Sequence, residues 1–174
     1  MQLKQLILAG TAALAFSFGA GAQAANTLAE CVSTEITRFD GTVVDAALAT
    51  PELSTLVDAV VAAGLVDALN DAEDITVYAP TNDAFAAIPG DIAGAILADV
   101  DVLTAVLTYH VTPSVQYPRR FVTAVRRDTL LGQKVFYHRS GSEALVNNSA
   151  INCGGIRTSN GIVWLIDSVL LPTF

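Results

Sequence analysis

Thr76-Val77-Tyr78-Ala79-Pro80-Thr81-Asn82-Asp83-Ala84-Phe85 passes from strand to helix within one short stretch, and its reading decides the fold class. Ile75 to Ala79 is rich in β-branched and aromatic side chains that suit a pleated surface, which predicts a strand. Ala79-Pro80-Thr81-Asn82 then leads the strand edge into a turn. A hydroxyl or amide from Thr81 or Asn82 is placed there to accept from the first amides of a helix carrying Phe85. Phe85 and Ile88, three positions apart, are expected to face the core.

Outward from this stretch, the N-terminal side reads as short helices. Thr42 is positioned to cap a helix through Ala49, and Thr50 to cap another that starts at Pro51. Leu53, Leu56, Val57, Val60 and Val61 recur at the spacing of one helical face, and Gly64 ends it. A short helix around Leu65–Leu69 follows. Further helices are predicted at Ile92–Ala98 and Val102–Leu107, each capped by the preceding aspartate. After Tyr109 the texture is β, with strands expected at Phe121–Val125, Lys134–His138, Ala144–Val146 and Ile156–Thr158. Ser159-Asn160-Gly161 predicts a hairpin turn in which Asn160-Gly161 supplies positive φ. Ile162-Val163-Trp164-Leu165-Ile166 is apolar at successive positions, so it is predicted to be a central strand covered on both faces. Helices first and strands later imply an α+β domain.

The Thr76–Phe85 stretch closely resembles the first signature block of the fasciclin family. Three more stretches fall in the family's order. Tyr109-His110-Val111-Thr112-Pro113 resembles its tyrosine-histidine block, Thr129-Leu130-Leu131-Gly132 its leucine-glycine turn, and Asn160-Gly161 through Asp167-Ser168-Val169-Leu170-Leu171-Pro172 its closing block. The resemblance implies a compact β-sandwich or wedge with a flanking layer of short helices. It implies structural roles for Thr76, Pro80, Thr81, Asn82, Phe85, Tyr109, His110, Gly132, Asn160, Gly161 and Asp167. It also implies adhesion as the activity. Trp164 departs from the pattern and is read as core, and Val115–Thr123 matches no block.

Lys4, the apolar run Leu6–Phe18 and Ala22-Gln23-Ala24 have the layout of a cleavable secretory signal over residues 1–24. The run is too short and interrupted for a membrane span. The expected mature protein is an N-terminal segment, 25–39, followed by one domain, 40–174, secreted or periplasmic and without membrane insertion. Cys31 and Cys153 are the two cysteines. In an oxidising compartment one bridge between them would stabilise the domain by roughly 4 to 5 kcal/mol in the chain-entropy model. The alternative is two unpaired thiols; the spacing fits no zinc site.

Loss of Lys4 takes the net charge from −8 to −9, which argues against nucleic-acid binding. Residues 25–110 hold Arg38 against fourteen carboxylates, a balance of −13, whereas residues 111–174 hold seven basic residues against three acids, a balance of +4. Arg119, Arg120, Arg126 and Arg127 cluster in the second half. They are the candidate contacts for a cell-surface or matrix protein, an anionic polysaccharide, or the acidic side of another copy. The alternative is that folding interleaves the signs. His110 is read as a core residue and His138 as exposed. Asp71, Glu73 and Asp74 form an acidic loop without calcium-site spacing, and Asn147-Asn148-Ser149 fits a glycosylation acceptor. No catalytic motif occurs, and neither a cofactor nor an enzymatic activity is expected. The leading expectation is an adhesion or surface-attachment module; the second is a small-molecule or lipid-binding protein with a pocket between helices and sheet.

Overall fold

The computed structural model describes residues 35–120, 123–141, 143–152 and 154–173. The signal expected over residues 1–24, Cys31 and Cys153 lie outside the described residues, as do the start of the strand expected at Phe121–Val125 and the side chain of Arg119.

Three layers stack. Among the described residues, six helices (α1 Val43–Leu48, α2 Ser54–Ala62, α3 Val66–Asp71, α4 Asn82–Ala86, α5 Gly90–Ala98 and α6 Val100–Tyr109) cover one face of a five-stranded mixed sheet. That sheet has the order β1-β8-β9-β2-β3, from Thr37–Arg38, Ile156–Arg157, Gly161–Ile166, Ile75–Pro80 and Val111–Thr112. Its other face packs on an antiparallel sheet of order β4-β5-β6-β7, from Val125–Asp128, Lys134–Ser140, Glu143–Val146 and Ser149–Ala150. This is the expected α+β wedge. The sheet takes in Thr37 and Arg38, so it begins inside the stretch read as an N-terminal segment.

The doubly apolar run Ile162–Ile166 is central, lying between β8 and β2 and pairing with β2 in parallel from Ile75↔Gly161 to Pro80↔Ile166. Side-chain alternation divides it between two cores. Ile162, Trp164 and Ile166 join Tyr78, Val135, Tyr137 and Val146 between the sheets. Val163, with Ile75 and Ala79 of β2, meets Leu53, Leu56, Leu103 and Leu107 beneath the helices.

Several local expectations hold. Thr42 caps α1 in a reciprocal box with Asp45, Thr81 accepts from the Ala84 amide, and Gly64 ends α2 with φ 67°. Others are corrected. Thr50 makes no cap; its hydroxyl donates to the Ala46 carbonyl, and Pro51–Leu53 is a 3₁₀ turn before α2. Val61 is 61% exposed and Ala59 takes the buried place, so the inner face of α2 runs through Leu56, Ala59 and Val60. Asp99, not Asp101, caps α6, accepting from the amides of Asp101 and Val102, while α5 starts without a side-chain cap. The strand expected at Phe121–Val125 is placed later, at Val125–Asp128. β1, β3 and β7 are two residues each, too short for periodicity to register.

Asn160-Gly161 supplies no positive φ. Gly161 is required for another reason: a Cβ there would lie 2.4 Å from the Ile75 carbonyl oxygen. Asn160 is a joint. Its Oδ1 accepts from the Val43 amide at 2.9 Å, and its Nδ2 donates to the carbonyls of Leu69 at 2.8 Å and Ala72 at 3.0 Å. One side chain thus ties the β8–β9 turn to the start of α1 and the end of α3.

Asn160→Ala strands these backbone groups, and we expect a loss on the order of 3 kcal/mol in urea unfolding. Gly161→Ala forces the central pair apart at a similar cost, about 3 kcal/mol. Unchanged midpoints would refute both assignments.

Candidate functional site

The signature residues are built into the scaffold. The Thr76 hydroxyl donates to the Ser114 carbonyl and accepts from the Gln116 amide, both at 2.8 Å. The Gln116 carbonyl accepts from the buried Trp164 indole at 3.0 Å, and its Oε1 accepts from Arg127 Nε at 3.2 Å. Gln116 is therefore the anchor of the segment that matched no family block. Pro80 is buried at the end of β2, paired with Ile166, and Phe85 packs half-buried against the helical core. Asn82 accepts from the Thr55 amide and donates to the Pro51 carbonyl, holding the turn before α2. Asp167 accepts from the Ser149 hydroxyl and the Ala150 amide, and Gly132 takes φ 89° in the turn after Thr129. The Tyr109 hydroxyl donates to the Lys134 carbonyl and accepts from Asn147 Nδ2. The nitrogen of the glycosylation motif is thus engaged inside the fold.

His110 is buried at the C-terminal end of α6. Nδ1 faces the Val106 carbonyl at 2.7 Å, so it carries the proton, and Nε2 accepts from the Leu170 amide at 2.9 Å. Burial holds the ring neutral, with its pKa lowered to about 4. Tyr78 and Tyr137 share a 2.5 Å hydrogen bond. Burial raises both, Tyr137 to about 12 and Tyr78 well above its ordinary value, where the charge of Tyr137 adds to the effect. All three groups are spent on packing and internal hydrogen bonds. Among the described residues no buried side-chain nitrogen or oxygen lacks a partner, and no three His, Cys, Asp or Glu side chains converge on a metal geometry. His138 is exposed on β5.

The arginines separate. Arg126 and Arg127 are adjacent on β4, so strand alternation sends them to opposite faces. Arg126 is exposed and lies over the Phe136 ring at 5.0 Å, on the outward face with the Lys134–Asp128 ion pair. Arg127 is half-buried against Gln116 on the other face. Arg119 and Arg120 belong to the turn Pro118–Arg120, which contacts β6; the exposed Arg120 lies 4.9 Å over the Tyr117 ring. Two exposed guanidiniums are therefore held on aromatic faces. Phe136, 44% exposed, was not singled out as a contact. Its signal was the alternation of Lys134, Phe136 and His138 against Val135 and Tyr137.

A helical layer on a two-sheet wedge, with its signature polar groups engaged in internal hydrogen bonds, defines an α+β domain of wedge architecture. The chain belongs to the fasciclin family: the fasciclin-domain model matches residues 51–172. It is 39% identical over 127 residues to immunogenic protein MPB70 of Mycobacterium bovis, covering 70% of this chain and 64% of that one. It is 37% identical over 133 residues to protein sll1483 of Synechocystis, covering 75% and 73%. To the cell surface glycolipoprotein MPB83 of Mycobacterium bovis it is 37% identical over 135 residues, covering 75% and 60%. The chain thus spans just under two thirds of the length of the mycobacterial relatives. The fold is similar to a FAS1 domain pair of the insect cell adhesion molecule Fasciclin I, with a TM-score of 0.56 at 17% identity, covering 68% of this chain and 45% of that one.

His110 sets an acid limit on stability. Its folded pKa lies below the unfolded value of about 6.5, so the unfolded chain takes up a proton first. The full contribution is present above about pH 6.5 and is lost as pH falls toward 4, a change on the order of 3 kcal/mol. Urea midpoints between pH 7.5 and 4 should fall, and His110→Asn should reduce that slope; an equal slope in the variant would contradict this account.

Proposed function

We propose that this chain is exported and acts as a non-enzymatic attachment module, binding a cell-surface or matrix partner of anionic character through the outward face of β4 and β5. The observation that carries the reading is the Arg126–Phe136 stack beside Lys134, on the layer opposite helices that bear no basic residue. A guanidinium resting on a ring keeps its N–H edge free to fork onto a carboxylate or sulfate, and it loses little further entropy on binding. MPB83, by its name a cell-surface protein, and Fasciclin I, named as an adhesion molecule, support the same reading. One module bridges two surfaces only by self-association or through a second binding face. The acidic helical layer is suited to be that second face.

The purified protein should be retained on a sulfated dextran resin and on envelopes of the producing cells, with retention falling as salt rises. Arg126→Glu should weaken both by about fivefold or more, and Phe136→Ala should weaken them less. Retention that ignores salt and charge reversal would refute the reading.

A further inference from the structure

We propose that the helical layer also holds a binding site for an uncharged or cationic apolar small molecule. This site is separate from the arginine-bearing face and stands whether or not that face binds a surface. Between α2, α4, α5 and α6 lies a cavity of ≈ 590 Å³, within the range that encloses a drug-sized ligand. Its floor is apolar and buried: Ala59, Leu103, Val106 and Leu107. His110 also reaches the floor, but both ring nitrogens are already bonded, to Val106 and Leu170. The interior therefore offers a ligand no polar anchor, and a polar group carried to the bottom would lose its hydration uncompensated.

Polar groups occur at the mouth: Thr55, Asp58 and Asn82. The Asn82 amide is committed on both atoms, to Thr55, Ser54 and Pro51. Asp58 is exposed and has no ion-pair or hydrogen-bond partner among the described residues. Leu97, 62% exposed, extends the apolar lining to the rim. Each of the six helices carries at least one aspartate and none carries Lys or Arg. The field at the mouth is thus negative, which disfavours a fatty-acid carboxylate or a phosphate head and favours an amine or hydroxyl next to Asp58. Size, apolar lining and charge together select a compact apolar body with one donor end.

The test is titration of the purified protein with Nile red, a neutral dye, followed by displacement with dodecylamine, dodecanol and dodecanoate below their micellar concentrations. We expect saturable uptake, with the amine displacing dye at about tenfold lower concentration than the carboxylate, and that ratio shrinking in Asp58→Asn. Ala93→Trp, which fills the cavity from α5, should abolish uptake with the far-UV spectrum intact. If that variant misfolds, Ala62→Trp on the exposed wall of α2 makes the same test. Uptake that persists in a folded, filled variant, uptake that never saturates, or equal displacement by the carboxylate would overturn the proposal.

Discussion

The parallel pairing of β2 with β9 is the constraint on which the molecule depends. It brings together segments more than eighty positions apart and places both at the centre of a sheet whose two faces are buried. Ile75, Ala79 and Val163 of this pair serve the core beneath the helices and Tyr78, Ile162, Trp164 and Ile166 the core between the sheets, so the helical layer and the four-stranded sheet are positioned through it. The closeness is visible at Gly161, where the Ile75 carbonyl leaves no room for a side chain. A similar fit recurs at Gly155, whose Cβ would lie 2.7 Å from the Trp164 ring. Trp164, the residue that departs from the family pattern, is thus accommodated by a glycine on the neighbouring segment.

Around this pair, polar side chains act as joints between elements that backbone hydrogen bonding alone does not connect. Asn160 satisfies the loose end of α3 and the first amide of α1, Asn82 holds the turn before α2, and His110 links α6 to the closing segment through Leu170. Asn160 and His110 replace water at backbone groups that the fold wholly or partly buries, which is why their loss costs more than a surface hydrogen bond, whereas the Asn82 bonds lie at the surface. The signature blocks are therefore positions where the chain must be tied. Residues between them, among them the aromatic-backed Arg120 and Arg126 and the carboxylate of Asp58, stand exposed at the surface.

Much of the fold was legible from residues 42–110 and 156–167. The Thr42 and Thr81 caps, the Gly64 stop, the strand from Ile75 and the doubly covered Ile162–Ile166 each rest on a local rule. The misplaced details share a cause. Thr50 and Asp101 are good capping residues by type, but the Thr50 hydroxyl is spent on the Ala46 carbonyl and Asp99 takes the first amides of α6 in place of Asp101. β1, β3 and β7 are each the edge strand of a sheet, defined by pairing with a single neighbour rather than by a pattern of their own. The positive φ assigned to Asn160-Gly161 was wrong because that turn is shaped by contacts with Ile75 and α1, which no dipeptide rule contains.

By itself the sequence determined the class of fold, the doubly covered central strand and the division of charge along the chain, because hydrophobic periodicity, capping chemistry and composition are local quantities. Tertiary structure alone decided which arginines share a face, that Phe136 supports one of them, and that an apolar cavity opens beside Asp58. Strand alternation turned the neighbours Arg126 and Arg127 apart, while packing four helices over one sheet left a gap that no single helix predicts. Proximity in the chain and proximity in space are set by different physics, and a surface is made by the second.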